Sequence, residues 1–103
     1  MRQITKESVK AFFNAERYFK NNTRTEVKPN VTILYLHNNP IAYRYNDPER
    51  TLSIQNCGWF SNTTKERLNG ILDYIGKPRI YQKRFEWFLD GEKWNGNYTD
   101  IKL

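Results

Sequence analysis

The side chains of this 103-residue chain limit the chemistry open to it. Nucleophilic catalysis requires a nucleophile, a base and a group that orients the base. The single histidine, His37, lies in a predicted turn, far along the sequence from Cys57 and Ser61. One cysteine and one histidine are too few for a zinc site, and the sequence contains no glycine-rich loop of the kind that binds phosphates or dinucleotides. We therefore expect no enzyme activity, no metal ion and no cofactor.

The segment from residue 57 to residue 70 brings a backbone turn, hydroxyl groups and positive charge together. It joins a predicted strand to a predicted helix, and a helix N-terminus attracts anions through its unpaired N–H groups and its dipole. The side chains that would add to a binding site here are Trp59, Ser61, Thr63, Thr64, Lys65 and Arg67. Alternatively, Thr63 and Glu66 form a capping box that satisfies the same N–H groups internally. In that case the segment only turns the chain and buries the indole of Trp59.

Basic residues alternate with aromatic residues between positions 77 and 87. The candidate binding residues in this stretch are Arg79, Lys83, Arg84 and Trp87. On a strand, such an alternation suits the phosphate backbone and the unpaired bases of a nucleic acid. It equally suits a half-buried sheet edge, and Tyr, Trp and Arg are also the residue types that dominate protein–protein hot spots.

The elements that position these residues begin with a predicted helix at residues 5–20. Its apolar side chains recur near helical spacing at Val9, Phe12, Phe13 and Phe19. We expect the phenylalanines to face the core, because a helical apolar stripe usually does. Thr5 is the expected N-cap, and Asn21-Asn22 is the expected end of the helix.

From residue 23 to residue 57 the apolar period changes to two, which predicts strands. These strands are residues 23–27, 31–36, 41–45 and 51–57, with turns rich in Asn, Asp and Pro between them. Turns this short join antiparallel neighbours. Tyr43 and Tyr45 share one face of a strand, where they either roof the sheet or form an exposed aromatic platform.

A second helix is predicted at residues 63–75, because Leu68, Ile71, Leu72 and Ile75 follow helical spacing and Gly76 provides a stop. Residues 79–89 fit strands or a helix; we favour strands, since Asp90-Gly91 is a strong hairpin signal. The tail, residues 95–103, is rich in Asn and Gly, and we expect it to be loosely held.

These elements predict one α+β domain, residues 1–103, in which two helices pack on an antiparallel sheet of about 4–6 strands. Seventeen Lys and Arg against eleven Asp and Glu give a formal net charge of +6. A basic surface attracts polyanions and acidic protein faces alike. No stretch approaches the ~20 apolar residues that span a bilayer, so we expect no membrane partner.

The run from Asn56 to Asn69 resembles a signature, Gly-Trp-x-Ser-x-Thr-Thr-Lys-x-Arg-[Leu/Met]-Asn, found in small proteins of tailed bacteriophages. The resemblance extends over residues 23–75, including the hairpin-like segment that precedes the signature. It implies a small accessory protein made in the cytoplasm of an infected bacterial host. It implies no activity.

The sequence supports two hypotheses about function. The first is a non-enzymatic factor that binds a host or defence protein complex and inhibits or redirects it. The alternative is a basic nucleic-acid-binding protein that uses the segment from Gly58 to Arg67 and the strand from Lys77 to Arg84. If the cations of both segments share one continuous face, nucleic acid is favoured; if they are scattered, a protein target is favoured.

Overall fold

Two helices and two antiparallel sheets make up the fold, which confirms the predicted α+β class. The structure is a computed structural model that describes residues 2–102. The helices are α1 (Gln3–Phe13) and α2 (Asn62–Tyr74). The strands are β1 (Phe19–Lys20), β2 (Thr23–Val27), β3 (Val31–Leu36), β4 (Asn39–Tyr45), β5 (Leu52–Ile54), β6 (Tyr81–Lys83), β7 (Glu86–Leu89), β8 (Glu92–Lys93) and β9 (Thr99–Ile101).

The larger sheet has six strands in the order β1-β2-β3-β4-β5-β9, and every neighbouring pair is antiparallel. The turn between β3 and β4 places His37 at φ 51° and Asn38 at φ 64°. A turn with positive φ at both central residues has a backbone twist that matches the right-handed twist of the two strands it joins. The predicted meander is therefore confirmed, and His37 lies in a turn as expected.

The C-terminal tail corrects one expectation. Instead of being loosely held, it forms β9, which pairs with β5 at the edge of the large sheet. The partner strand lies far back in the chain, so no local pattern near residue 99 indicates the pairing. Leu103, the last residue of the predicted tail, lies outside the described residues.

Helix α1 ends seven residues earlier than the predicted boundary at residue 20. Ala15 adopts φ 54°, and the amide of Glu16 donates to the carbonyl of Ala11 at 2.9 Å. These are the features of a Schellman helix end, in which glycine usually occupies the left-handed position. Phe19 consequently lies on β1 and is 78% exposed, whereas Phe12 is fully buried as predicted. The N-cap is Arg2, and the predicted cap, Thr5, is buried inside the helix.

The core lies between the helices and the large sheet, and it extends to the small sheet through two tryptophans. Its buried apolar side chains include Val9, Phe12, Leu34, Leu36, Ile41, Leu52, Ile54, Leu68, Ile71, Leu72, Trp87 and Trp94. The predicted apolar stripe of α2 therefore faces the core. Trp87 and Trp94 stack with their rings 6.2 Å apart, which joins β7 to the chain after β8.

Residues 79–89 form strands, as favoured from the sequence, but two strands rather than one. The turn between β6 and β7 consists of Arg84 at φ 53° and Phe85 at φ 67°. Asp90 and Gly91 form the next turn, which confirms the hairpin predicted there. The three strands β6-β7-β8 make a small separate sheet.

Candidate functional site

The start of α2 is capped by Ser61, not by the predicted pair of Thr63 and Glu66. The Ser61 side chain accepts a hydrogen bond from the Thr64 amide at 3.1 Å, which satisfies an N–H group of the first turn. Thr64 is buried, and its hydroxyl lies 2.9 Å from that of Ser61. The predicted capping box is wrong, because the Glu66 carboxylate faces α1 instead.

Arg67 is not available to a ligand, although we expected it in the binding site. It is only 1% exposed, and its guanidinium donates to the hydroxyls of Thr5 at 2.6 Å and Thr23 at 3.2 Å. The Glu66 carboxylate accepts from both Arg67 at 3.0 Å and Thr5 at 2.6 Å. Burial lowers the pKa of the Arg67 guanidinium and Glu66 raises it, with burial the larger effect. Arg67 thus ties α2 to α1 and β2.

Two further candidates also have internal partners. Arg79 donates to the Asp73 carboxylate through Nε and Nη2, at distances from 2.9 to 3.2 Å. Trp87, expected on an exposed strand face, is buried in the core. An exposed Arg79 remains able to reach a partner, but only in competition with Asp73.

Three aromatic side chains and three cations do lie exposed or partly exposed at this end of the molecule. We define the aromatic–basic surface by its residues, which are Trp59, Phe60, Lys65, Lys83, Arg84 and Phe85. Phe85 is 94% exposed, Trp59 59% and Phe60 54%. Phe60 and Phe85 were not identified from the sequence; the signal for Phe85 is an aromatic residue next to Arg84 at a turn between two strands.

Direct contacts connect the two parts of the aromatic–basic surface. The Phe60 ring packs edge-on against Trp87, with centroids 5.1 Å apart. Gln82 is the residue directly opposite Trp87 on β6, and Lys65 donates to the Gln82 side chain at 3.4 Å. Phe60 and Lys65 therefore lie beside the β6–β7 hairpin. Trp59, next to Phe60 in the chain, lines a pocket of about 240 Å³ with Ser61, Thr63 and Thr64.

The charge of the aromatic–basic surface is positive and largely free. Within residues 2–102, no salt bridge involves Lys65, Lys83 or Arg84. Lys77, by contrast, lines a groove that is also lined by residues of β8 and β9. Because Arg67 is buried and Lys77 lies in that groove, the cations of the two segments do not form one continuous face.

A second aromatic cluster covers the face of the large sheet opposite the helices. Tyr43 and Tyr45 stand nearly parallel, 6.1 Å apart, and the hydroxyls of Tyr45 and Tyr98 lie 2.6 Å apart. Gln55 donates to the Tyr43 hydroxyl at 3.1 Å. The Tyr98 hydrogen bond and partial burial raise the pKa of Tyr45 to about 12. Tyr43 packs against the rings of both other tyrosines, and Tyr45 is hydrogen-bonded to Tyr98. The three side chains are only partly exposed, so they cover this face of the sheet.

Cys57 and His37, the residues best suited to act as nucleophile and base, both lie in turns. The Cys57 thiol donates to the Pro40 carbonyl at 3.0 Å, and burial raises the pKa of that thiol. The exposed His37 ring lies 3.4 Å from the Asn22 side chain. Across residues 2–102, no three metal-ligating side chains converge on one point.

Asn56 connects the site to the C-terminal tail. Its side-chain oxygen accepts from the Gly58 amide at 2.8 Å, and its backbone N–H donates to the Gly96 carbonyl at 3.0 Å. Asn56 is buried, and its hydrogen bond to Gly58 holds the turn before Trp59 in place from the core side.

The chain matches the model of a known protein family. The family model of the Kyanoviridae Gp96 protein matches residues 1–101. The chain belongs to this family. The phage origin implied by the sequence resemblance is thereby confirmed for this family member, whereas the signature itself stays a prediction. Neither a curated protein nor a solved structure matched the chain. In the part of the chain that the structure describes, neither helix has the length and apolar character to cross a membrane.

Proposed function

We propose that this phage protein is a non-enzymatic binding protein of the infected bacterial cytoplasm. Its aromatic–basic surface docks on an acidic face of a host or defence protein complex and inhibits or redirects that complex. The observation that carries the proposal is Phe85, whose ring is 94% exposed at the tip of a tight turn. Family membership supports the phage setting.

The energetics of the hairpin tip support an anchoring role. Arg84 and Phe85 both adopt positive φ, the conformation that a two-residue hairpin turn requires, so the turn holds the Phe85 ring at the hairpin tip. Burying an exposed phenylalanine against a partner contributes about 2 kcal/mol. Lys83 and Arg84 precede Phe85 in the chain, and cations outside salt bridges speed encounter with an acidic face and favour its correct register.

A protein partner fits the arrangement better than a nucleic acid. Tracking a phosphate backbone requires a stripe of free cations. Here Arg67 is buried and Arg79 is paired with Asp73, while Trp87 is unavailable for base stacking. The cations that remain, Lys65, Lys83 and Arg84, lie on the same segments as the exposed rings of Trp59, Phe60 and Phe85, and Trp and Arg are among the residue types that dominate protein-interface hot spots.

A pull-down from nuclease-treated host lysate tests the proposal. The tagged protein is expected to recover a stoichiometric protein partner, and the Arg84→Glu and Phe85→Ala variants are each expected to weaken capture by about tenfold or more. Phe19→Ala is the matched control, because it also removes an exposed phenylalanine but lies on β1, outside the surface. Equal capture by all variants, or capture of no protein, would overturn the proposal.

A salt titration with single- and double-stranded nucleic-acid probes distinguishes the proposed protein binding from the alternative, nucleic-acid binding. A protein-binding surface predicts weak nucleic-acid binding with no dependence on Arg84. A steep salt slope that Arg84→Ala or Lys65→Ala reduces by about one unit each would instead establish nucleic-acid binding.

A further inference from the structure

A groove of about 410 Å³ separates the small sheet from the edge of the large sheet. Its apolar lining includes Leu72, Leu89 and Trp94. Along one side lies β9 with Asp100, followed by Lys102, and along the other lies β8 with Lys93. Its volume falls in the range of small ligand sites, but its shape follows a strand edge. The groove shares no residue with the aromatic–basic surface, so a role for the groove is independent of the proposed function.

The outward edge of β9 has unpaired backbone groups. Just after β5, the Gln55 amide bonds to Ile41 on β4, whereas the Asn56 amide bonds to Gly96 on the other side. Backbone groups alternate in direction along a strand. Ile54 and Leu52 therefore bond to their partners Thr99 and Ile101, which leaves the N–H and C=O of Asp100 directed away from the sheet.

The outward edge of β8 is open in the same way. The Trp94 amide donates to the Trp87 carbonyl at 2.9 Å, so the next residue back, Lys93, directs its N–H and C=O away from β7. No pairing between β8 and β9 is present in residues 2–102. Two open strand edges thus line one groove, in which apolar side chains alternate with three basic and three acidic ones, namely Lys77, Lys93, Lys102, Asp90, Glu92 and Asp100.

The geometry of the groove favours a single strand over a second folded copy of this chain. The Trp94 indole donates to the Thr99 hydroxyl at 2.9 Å, which joins the two sides near the start of β9. The groove lies between two open strand edges, so its occupant is a single extended segment rather than the edge strand of a sheet that continues with further strands. A second folded copy of this chain is therefore disfavoured relative to a single strand.

We propose that this groove binds an extended segment of a partner protein by strand addition to β9. The segment carries a basic residue between two apolar residues. The basic residue lies opposite Asp100, whose side chain is on the face of Ser53, and cross-strand pairs of opposite charge are favourable. The neighbouring apolar side chains point to the other face, toward Leu89 and Trp94. Backbone hydrogen bonds supply affinity, and the alternating side chains supply specificity.

A random linear peptide library displayed on phage and selected on the immobilised full-length protein tests this inference. We expect enrichment of an apolar–basic–apolar pattern. Asp100→Pro removes the outward N–H at an edge position that tolerates proline, and it should weaken a selected peptide by about tenfold or more. Asp100→Asn keeps the backbone N–H and removes only the charge, so it should weaken binding less than Asp100→Pro and reduce the preference for a basic residue. Phe19→Pro is the matched control, because it removes an outward N–H from β1 at the opposite edge of the sheet, and it should change affinity by less than about threefold.

Lys93→Pro provides an independent variant, since it removes the outward N–H of β8 and also lies at an edge. In the unsubstituted protein, a bound peptide should slow exchange of the Asp100 amide hydrogen with solvent. Selection of no pattern, or peptides that neither protect the Asp100 amide nor respond to Asp100→Pro and Lys93→Pro, would overturn the proposal.

Discussion

Arg67 shows how a single residue changes role between sequence and structure. A cation near a helix N-terminus is normally solvated, yet this guanidinium is enclosed by Thr5, Thr23 and Glu66. A buried charge is tolerated only where its hydrogen bonds are satisfied. The same contacts that exclude Arg67 from the proposed binding surface hold α1, α2 and β2 together.

We predict that Arg67→Ala lowers the free energy of unfolding by roughly 3 kcal/mol, because it leaves buried hydroxyls and a partly buried carboxylate without their donor. Arg79→Ala removes an exposed ion pair with Asp73 and should cost less than about 1 kcal/mol. Urea denaturation of both variants provides the comparison. Equal losses would show that Arg67 does not hold the two helices and β2 together.

At the scale of elements, two substitutions at the start of α2 distinguish the observed cap, Ser61, from the predicted cap, Thr63. Ser61→Ala should lower the free energy of unfolding by about 1 kcal/mol, because the Thr64 amide loses its acceptor. Thr63→Ala should cost about 0.5 kcal/mol or less, since Thr63 lies inside the helix and caps nothing. Thermal or urea unfolding measures both. A larger loss for Thr63→Ala would restore the capping box expected from the sequence.

Elements with local signals were predictable, and elements without them were not. The apolar spacing of α2 and Gly76 at its end located that helix within about one residue at each boundary. Helix α1 was extended too far because Ala15, rather than glycine, occupies the left-handed position that ends it. Strand β9 was missed because its pairing with β5 depends on contacts distant in sequence.

The candidate site was predictable in part for a related reason. Charge and residue type located the segment before α2 and the basic stretch after it. They did not reveal which cations find internal partners, because Thr5, Thr23 and Asp73 approach Arg67 and Arg79 only in the folded chain. Exposure of Phe85 likewise depends on the turn that divides β6 from β7.

At the scale of the whole molecule, the tyrosine cluster predicts how stability responds to alkali. The folded-state pKa of Tyr45 is raised to about 12, above the ordinary value near 10. Its contribution to stability is therefore complete below pH of about 10 and is lost as the pH rises through about 12. Urea midpoints should fall across that window.

Tyr98→Phe removes the hydroxyl that is the largest cause of the shift, so the pKa of Tyr45 should move back toward its ordinary value. The loss of stability between pH of about 10 and about 12 should then shrink. Tyr81→Phe, on β6, removes a tyrosine outside this cluster and is the control. Spectrophotometric titration of tyrosinate, compared between the two variants, checks the assignment, because each retains six of the seven tyrosines. The same transition between pH of about 10 and about 12 in Tyr98→Phe and Tyr81→Phe would refute it.

Position 96 has a consequence for how this chain can vary. Gly96 adopts φ 84°, and an added methyl group there would collide with the amide of Asn56. A larger residue would push Asn56 away and so displace both the final strand and the bend that presents Trp59. Both proposed binding surfaces thus depend on the absence of a side chain at position 96, and a substitution there would disturb the two together.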